Sequence, residues 1–343
     1  MTDSHLSDLV AAASDAGLRR ALVTGGAGFI GSNLALALQQ GGIETTAADT
    51  FTEGVWANLA PFAAEGGNVV VMEDAHDTTG WLESGAYDVI FHEAAITGVI
   101  AADGSAAGKD ADKLILHNNI EQFRTLLAYA RDSGASLVWA SSCSVYGRGP
   151  VPMKESAEPD PLNSYAFSKL AMEAMARRYA PTLKHPPVGL RYSNAYGPNE
   201  DHKGPLASML HKLAKAMRAG ERPRVFEHGE QRRDFVYVAD TVASNLAAAT
   251  ASLSGKLDGG GAIALNAGAG RSWSFNEAIK ELNRVLKTDL EPDYFPNPYS
   301  FTQDHTETDQ SRARDVIGYE PKHDLASGLD AYANSGKLGV SNG

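Results

Sequence analysis

Cysteine is almost absent from the sequence, because Cys143 is the only one among 343 residues. A lone cysteine excludes an intrachain disulfide and a cysteine-rich zinc site, and it suits the reducing conditions of the cytoplasm. Long apolar runs are missing too, since no segment approaches the roughly 18 residues that a membrane-spanning helix needs. We therefore expect a cytoplasmic protein without a membrane segment, in which Cys143 fills a small space in the core.

Positive charge is scarce relative to negative charge. The chain has 30 Lys and Arg against 42 Asp and Glu, a formal net charge of −12. This balance leaves no general attraction to nucleic acid or to an anionic membrane, so any phosphate-bearing ligand must be held by local donors. A hydrophobic content of 43% is ample for a globular core in two modest domains or one large α/β unit.

Short apolar runs alternate with longer amphipathic stretches from Ala21 onward. The candidate strands are residues 21–24, 46–49, 68–72, 88–92, 136–141 and 188–192. The candidate helices are residues 31–40, 113–133, 164–179 and 205–219. This alternation predicts the α/β class, a doubly wound parallel sheet of the Rossmann type.

The periodicity also divides the chain into candidate domains. Residues 1–19 form an N-terminal extension, either a short helix or a loose segment. Residues 20–185 form the dinucleotide-binding Rossmann domain, and residues 236–262 return to it. Looser, shorter elements predict a smaller α/β substrate-binding lobe at residues 186–235 and 263–335, followed by a flexible tail at 336–343. The loop 97–112 follows a strand at the edge where open α/β sheets bind ligands.

A glycine-rich turn links the first strand to the first long helix. Gly25 permits the tight turn, Gly28 lets the backbone approach a pyrophosphate, and Gly31 lets the helix pack closely on the strand. Phe29 and Ile30, in the turn before that helix, are candidate cofactor contacts, and the helix N-terminus points at the phosphates. In this strand-turn-helix context the pattern predicts a dinucleotide site.

Acidic residues near this turn favour NAD over NADP. Asp49 ends the second strand 18 residues after Gly31, where a carboxylate hydrogen-bonds the adenosine ribose and repels a 2′-phosphate. No Lys or Arg occurs in residues 50–61 to neutralise such a phosphate. Asp74 is a candidate acceptor for the adenine amino group or a helix or turn cap, and Asn119 is a candidate anchor on the cofactor side.

Tyr165 and Lys169 are the candidate catalytic pair. A spacing of four residues in a helix puts the phenol and the ammonium on one face, and a nearby cation lowers a tyrosine pKa for acid/base work. Ser142 ends a strand 23 residues earlier and can share the hydrogen bonds of a substrate hydroxyl. Together these residues predict a redox enzyme acting on an alcohol.

Several segments resemble the successive motifs of the extended short-chain dehydrogenase/reductase family. They are Gly25 to Gly31, Phe91 to Ala95, Ser141 to Gly147 and Tyr165 to Lys169. The resemblance covers roughly residues 20–335. It implies an NAD(P)-dependent enzyme that acts on a nucleotide-diphosphate sugar, with Ala94 and Ala95 beside the cofactor. It also implies a homo-oligomer, a dimer or a larger assembly.

Within that family, three stretches are similar to the ADP-L-glycero-D-manno-heptose 6-epimerases. They are Phe91 to Glu93, Arg191 to Gly204, and Phe226 to Glu227 with Arg233 to Val238. The similarity implies an isomerase that inverts a carbinol centre by transient oxidation, with Lys203 as a second acid/base group facing the tyrosine. It places Asn194 and Arg233 at the substrate diphosphate, and His202 and Phe226 among the substrate contacts.

The match is incomplete, and other reactions use the same scaffold. The chain lacks the basic residue that those epimerases carry after the second strand, residues 297–309 follow their sugar-contacting segment only in part, and the loop 97–112 is unlike theirs. Sugar-nucleotide dehydratases need an acidic pair after the serine, where this chain has Cys143 and Ser144. A uronate decarboxylase, or a dehydrogenase or reductase that releases its cofactor, remains an alternative. A non-catalytic NAD-sensing protein would be expected to lack Tyr165 or Lys169.

Overall fold

The computed structural model describes residues 4–73, 86–98, 109–257, 260–297 and 304–339. Asp74 lies outside the described residues, as does most of the loop 97–112. Residues 298–303, within the segment that follows the epimerases only in part, also lie outside them. The same holds for residues 340–343 at the end of the predicted tail.

Helices and strands alternate regularly in the first half of the described chain and become shorter in the second half. The helices are α1 (Ser4–Asp15), α2 (Phe29–Gln40), α3 (Trp56–Ala64), α4 (Lys109–Ser133), α5 (Ser164–Tyr179), α6 (Met209–Arg218), α7 (Val238–Leu253), α8 (Phe275–Leu286), α9 (Ser311–Ile317) and α10 (Leu325–Asn334). The strands are β1 (Arg20–Thr24), β2 (Glu44–Asp49), β3 (Asn68–Val71), β4 (Val89–His92), β5 (Ser136–Ser142), β6 (Val188–Tyr192), β7 (Asn194–Tyr196), β8 (Arg224–Phe226), β9 (Arg232–Tyr237), β10 (Ile263–Ala267), β11 (Ser272–Ser274) and β12 (Asp293–Phe295). Short 3₁₀ helices lie at Cys143–Tyr146, Ala180–Thr182 and Asp201–Leu206.

The central sheet has seven parallel strands in the order β10-β6-β5-β4-β1-β2-β3. Helices α2, α7 and α9 contribute apolar side chains to the core on one face, and α4 and α5 do so on the other. Successive strands run outward from β1 in one direction and from β4 in the other, so the strand order reverses between β1 and β4. The predicted doubly wound Rossmann fold is confirmed, and its ligand crevice is expected at this reversal.

The predicted elements of the first half agree with the structure to within two residues for the strands. The helix predicted at residues 205–219 begins later, at Met209. Pro205 lies instead in the 3₁₀ helix that precedes α6, and the side chain of Ser208 accepts a hydrogen bond from the His211 amide as the N-cap. Helix α6 therefore begins after the Ser208 N-cap and not at Pro205.

The smaller lobe contains the sheet β11-β9-β7, the pair β12-β8 and helices α6, α8 and α10. Its core includes Phe235, Phe275, Leu282, Leu329 and Tyr332. The predicted boundaries also placed residues 188–192 and 263–267 in this lobe, which is wrong. These residues are β6 and β10 of the central sheet, where parallel pairing with β5 and with each other satisfies their backbone groups.

Both ends of the described chain pack against the body of the protein. Helix α1 packs on α7 and buries Val10 and Ala13. Leu338 lies within the predicted flexible tail but is fully buried in the core of the smaller lobe. None of the described helices combines the length and apolar character that crossing a bilayer requires.

Candidate active site

The glycine-rich turn between β1 and α2 is packed too closely for larger residues. Gly25 has a φ of +71°, and a Cβ there would lie 2.6 Å from the Ala94 nitrogen at the end of β4. A Cβ on Gly31 would lie 2.2 Å from the Gly25 oxygen, so the first turn of α2 rests directly on the loop. No side chain caps α2 at Gly28. The helix N-terminus therefore keeps backbone donors and a positive dipole end for an anion.

A cavity of about 460 Å³ lies over this turn. Its lining comes from the glycine turn, the ends of β2, β3 and β4, helix α4 and the 3₁₀ helix Asp201–Leu206. Lining residues used below are Phe29, Ile30, Asp49, Glu53, Met72, Glu93, Ala94, Ala95, Asn118, Gln122, His202 and Lys203. The glycine cradle, the uncapped helix and the acid at the end of β2 fit the phosphates and ribose of a dinucleotide.

Asp49 both shapes and lines this cavity. Its Oδ2 accepts a 2.9 Å hydrogen bond from the Ala27 amide in the glycine turn, and its Oδ1 accepts one of 2.7 Å from Phe51. Burial raises the pKa of Asp49, and these backbone amides oppose the rise. Glu53 lies at the same end, and burial raises its pKa as well, against the attraction of Lys203. Two carboxyl groups therefore stand at this end of the cavity.

The structure brings Ser142, Tyr165 and Lys169 together at the carboxyl edge of the sheet. Ser142 is the last residue of β5, and α5 begins after Asn163, whose side chain accepts from the Ala166 amide. The Lys169 ammonium lies 5.6 Å from the centre of the Tyr165 ring and donates a 2.6 Å hydrogen bond to the Ala140 carbonyl. The i, i+4 spacing thus produces the predicted pairing on one helix face.

The pKa of Tyr165 differs from the sequence-based expectation. Burial raises the pKa of the Tyr165 hydroxyl to about 12, which a hydrogen bond from Ser142 partly opposes and the charge of Glu93 reinforces. Burial lowers the pKa of Lys169 to about 8, and Glu93 opposes that change. The expected lowering of the tyrosine pKa by the lysine is therefore outweighed in the protein alone, because desolvation disfavours the phenolate.

Glu93 is a site residue that the sequence reasoning used only to mark a resemblance. It follows β4 directly, and its Oε1 accepts a 2.8 Å hydrogen bond from the Tyr192 hydroxyl. That hydroxyl in turn accepts from Asn245, on α7, at 2.7 Å. Burial raises the pKa of Glu93 to about 7, against the effects of Tyr192 and Lys169. Its position at a strand's carboxyl end, where these sheets bind ligands, was the available signal.

Asn119 lies beside the cavity and holds its wall in place. Its Oδ1 accepts from the Ile96 amide at 2.9 Å, and its Nδ2 donates to the Ile96 carbonyl at 3.1 Å and to the Ser168 hydroxyl at 3.1 Å. Ser168 precedes Lys169 on α5. The side chain therefore ties the segment after β4 to the helix that carries the catalytic pair.

His202 and Lys203 lie on the side of the cavity that faces the glycine turn. The Lys203 ammonium is 5.6 Å from the centre of the Phe29 ring, and the charges of Glu200 and Glu53 oppose the lowering of its pKa by burial. His202 Nδ1 lies 3.2 Å from the Asn58 side-chain nitrogen. Both residues line the cavity over the glycine turn.

The predicted diphosphate contacts lie in the smaller lobe. Arg233 donates to the Arg232 carbonyl at 2.9 Å and to the Asp304 carbonyl at 3.3 Å. Asn194 donates to the Asp234 carbonyl at 3.1 Å and to the Thr306 hydroxyl at 3.2 Å. Both side chains therefore hold the same short segment, residues 304–306. None of these residues lines the dinucleotide cavity.

Phe226 lies apart from that segment. It belongs to β8, and its ring meets Phe295 of β12 edge-on with centroids 4.9 Å apart. The contact joins the two strands of the smaller pair, which the backbone of Glu227 extends by donating to the Phe295 carbonyl at 2.7 Å. Its described contacts are thus with the lobe itself.

Three solved epimerase structures resemble this chain over most of its length. The ADP-L-glycero-D-manno-heptose-6-epimerase of Helicobacter pylori superposes with a TM-score of 0.81 at 31% identity, covering 94% of this chain and 97% of that chain. The UDP-glucose 4-epimerase of Thermotoga maritima, solved with UDP-glucose, gives 0.78 at 28% identity, covering 92% and 97%. The UDP-glucuronic acid 4-epimerase of Bacillus cereus, solved with UDP-glucuronic acid and NAD, gives 0.75 at 26% identity, covering 92% and 98%.

The family model agrees with these likenesses and spans the elements that build the cavity and the catalytic pair. It matches residues 21–260, from β1 to the segment that precedes β10. That range includes the glycine turn, Ser142, Tyr165 and Lys169. The chain belongs to the NAD dependent epimerase/dehydratase family.

Proposed function

We propose that this protein is a nucleotide-sugar epimerase that oxidises a carbinol carbon with NAD and then reduces the ketone from the opposite face. The observation that carries the proposal is the grouping of Ser142, Tyr165 and Lys169 beside a cavity suited to a dinucleotide. When bound, NAD supplies the hydride acceptor and donor. The protein's own residues must then manage the proton and hold the ketone.

Tyr165 is the proposed acid/base group. It takes the hydroxyl proton as the carbinol is oxidised, and Lys203, the second proposed acid/base group, gives a proton to the ketone oxygen as hydride returns to the other face. Proton exchange with solvent then restores both groups, so the full cycle neither consumes nor releases protons. Ser142 hydrogen-bonds Tyr165 and can share the substrate oxygen. Lys169 is held by the Ala140 carbonyl, and its positive charge favours the phenolate once the cofactor is in place.

Elimination of water is disfavoured by the residues that follow Ser142. Cys143 donates to the Arg191 carbonyl at 3.1 Å, and burial raises the pKa of its thiol. Ser144 donates its amide to the Ser142 hydroxyl and carries no charge. Neither side chain can act as the acidic pair that a dehydratase needs, so the oxidised intermediate is better suited to direct reduction.

NAD is the proposed cofactor in preference to NADP. Asp49 and Glu53 line one end of the cavity, and residues 50–61 contain no Lys or Arg. A 2′-phosphate at that end would meet two carboxyl groups, and the charge of Lys203 is already attracted to one of them, Glu53. The B. cereus structure, which holds NAD, supports the same choice.

The proposed substrate is an ADP-glycero-manno-heptose inverted at C6. Support comes from the 31% identity to the H. pylori enzyme and from the His202-Lys203-Gly204 segment. Arg233 and Asn194 are the proposed diphosphate contacts. Lys203 is the proposed second proton donor, and burial lowers its pKa, so its ammonium gives up a proton more readily than that of an exposed lysine. To serve the ketone, its ammonium must leave the Phe29 ring.

The test is incubation of the protein with a panel of ADP- and UDP-sugars in D₂O, followed by NMR of the products. Inversion of one centre without solvent deuterium at that carbon or its neighbours is the expected result, because hydride returns from the cofactor. Deuterium incorporation would indicate enolisation instead. Lasting accumulation of NADH would identify a dehydrogenase, and inversion only of UDP-sugars would overturn the heptose assignment.

A further inference from the structure

We propose that Gln122 recognises the adenine edge of the dinucleotide. Gln122 lies on α4, its side chain is 1% exposed, and it lines the cavity over the glycine turn. Both the Nε2 and the Oε1 of its carboxamide lack a hydrogen-bond partner among the described residues. Buried amide groups are nearly always paired, so a side chain with two free groups facing a ligand cavity points to the ligand as the missing partner.

The position of Gln122 matches the adenosine end of the cavity. Met72 follows β3, the outermost strand on that side, and lines the cavity together with Gln122. Asp49, the proposed ribose acceptor at the end of β2, lines the same cavity. Gln122 therefore shares this cavity with the residues at the ends of β2 and β3, on the adenosine side of the proposed cofactor.

The neighbouring amide on α4 provides an internal comparison. Asn118 lies one helical turn earlier and also lines the cavity, but its Nδ2 donates to Asn119 at 3.2 Å. Gln122 has no such partner. The two amides share a helix face and a cavity, and the free donor and acceptor belong to Gln122.

A carboxamide is complementary to adenine in particular. It offers an acceptor beside a donor, which matches the adenine amino group and N7 in a paired contact. Hypoxanthine carries a carbonyl in place of that amino group, so two acceptors face the carboxamide, which can pair with only one of them in either orientation. Met72, nearly buried, supplies apolar surface beside the base. Gln122 thus selects an amino-bearing purine.

The inference rests on the proposed use of NAD, but its test needs no sugar substrate. We would measure binding of NAD and of nicotinamide hypoxanthine dinucleotide to the full chain by competition. The wild-type protein should prefer NAD by about tenfold or more, the discrimination that a paired amide contact provides. Gln122→Leu, which keeps the volume, should bring the ratio of the two dissociation constants close to one. Asn118→Ala, the matched control, should leave the preference unchanged.

Two outcomes would overturn the proposal: a wild-type protein with equal affinity for both dinucleotides, or a Gln122→Leu protein that retains the preference. If Gln122→Leu does not fold, Gln122→Glu replaces it. That carboxylate keeps an acceptor for the amino group but loses the donor, so the NAD preference should persist while both affinities fall. Failure to bind either dinucleotide would overturn both this inference and the proposed cofactor. Selective NAD binding without any sugar inversion would contradict only the proposed function.

Discussion

The Tyr192 hydroxyl donates a 2.8 Å hydrogen bond to Oε1 of Glu93 and fixes that carboxyl beside the catalytic pair. An ionised Glu93 raises the pKa of both Lys169 and Tyr165, because a negative charge favours the ammonium and disfavours the phenolate. Loss of the Glu93 charge should therefore lower the pKa of both residues and shift the acidic and the basic limb of the pH–rate profile to lower pH.

Glu93→Gln should shift the pH profile of kcat/KM to lower pH by about one unit, the effect of removing one nearby charge. With a neutral amide, Tyr165 loses its proton at lower pH, and Lys169, whose pKa is about 8, loses its charge at lower pH. The measurement is kcat/KM for inversion between pH 5 and 10. Tyr192→Phe is the comparison, since it keeps the carboxyl group and removes the hydrogen bond that lowers the pKa of Glu93, so any change in the profile should be confined to pH values near that pKa. A slower enzyme with the wild-type profile would show a structural role only.

Tyr165→Phe should lower kcat by about 10² to 10⁴-fold, the range that a positioned acid/base group contributes. The affinity for NAD should change little, because the substitution removes a single hydroxyl. Tyr179→Phe, on the same helix α5, is the matched control and should retain activity. Rates from steady-state NMR and NAD affinity from fluorescence quenching separate the two effects. Near-normal turnover by Tyr165→Phe would remove this residue from the mechanism.

Glu173→Ala should lower the free energy of unfolding by about 3–5 kcal/mol, the cost of leaving a buried charge without its partner. Glu173 is 1% exposed, and its carboxylate accepts two hydrogen bonds from the Arg191 guanidinium at 2.8 and 2.7 Å. It also accepts from Ser141 at 2.7 Å, directly before Ser142. Urea denaturation followed by circular dichroism gives the value.

The control is the exposed pair of Arg124 and Glu121, which has similar geometry at 2.7 Å. Glu121→Ala should leave stability nearly unchanged, because exposed pairs contribute little. Equal losses for the buried and the exposed pair would contradict the assignment of a buried, structurally important ion pair beneath the catalytic strand.

Gly31→Ala should reduce stability by about 1–3 kcal/mol, the usual cost of overpacking, and weaken NAD binding. The added methyl would meet the Gly25 oxygen at 2.2 Å and push α2 away from the turn that holds the phosphates. Gly261→Ala is the control, since a Cβ there has no neighbour within 4 Å. Thermal unfolding and calorimetric titration with NAD provide both values, and unchanged NAD affinity for Gly31→Ala would argue against a phosphate cradle.

Local sequence patterns were enough to predict the first half of the fold. The strands at β1, β2, β4 and β5, the glycine turn and the pairing of Tyr165 with Lys169 depend on residues a few positions apart. The placement of β10 in the main sheet and the burial of Leu338 could not be read this way. Both depend on contacts between distant segments. Strand β10 pairs with the edge of β6, and Leu338 packs into the apolar core of the smaller lobe.

The sequence by itself determined the parallel α/β fold, the dinucleotide turn and the spacing of the catalytic helix, because helix and strand periodicity and glycine chemistry are local. Only the tertiary structure decided that Glu93 meets Tyr192, that Lys203 lies over Phe29 and that Gln122 lines the cavity without a hydrogen-bond partner in the part of the chain that the structure describes. The first two contacts join residues that are far apart in the chain, and the third observation depends on which distant side chains pack around Gln122. Their pKa values and hydrogen bonds depend on burial, which exists only once the sheet and its helices have packed together.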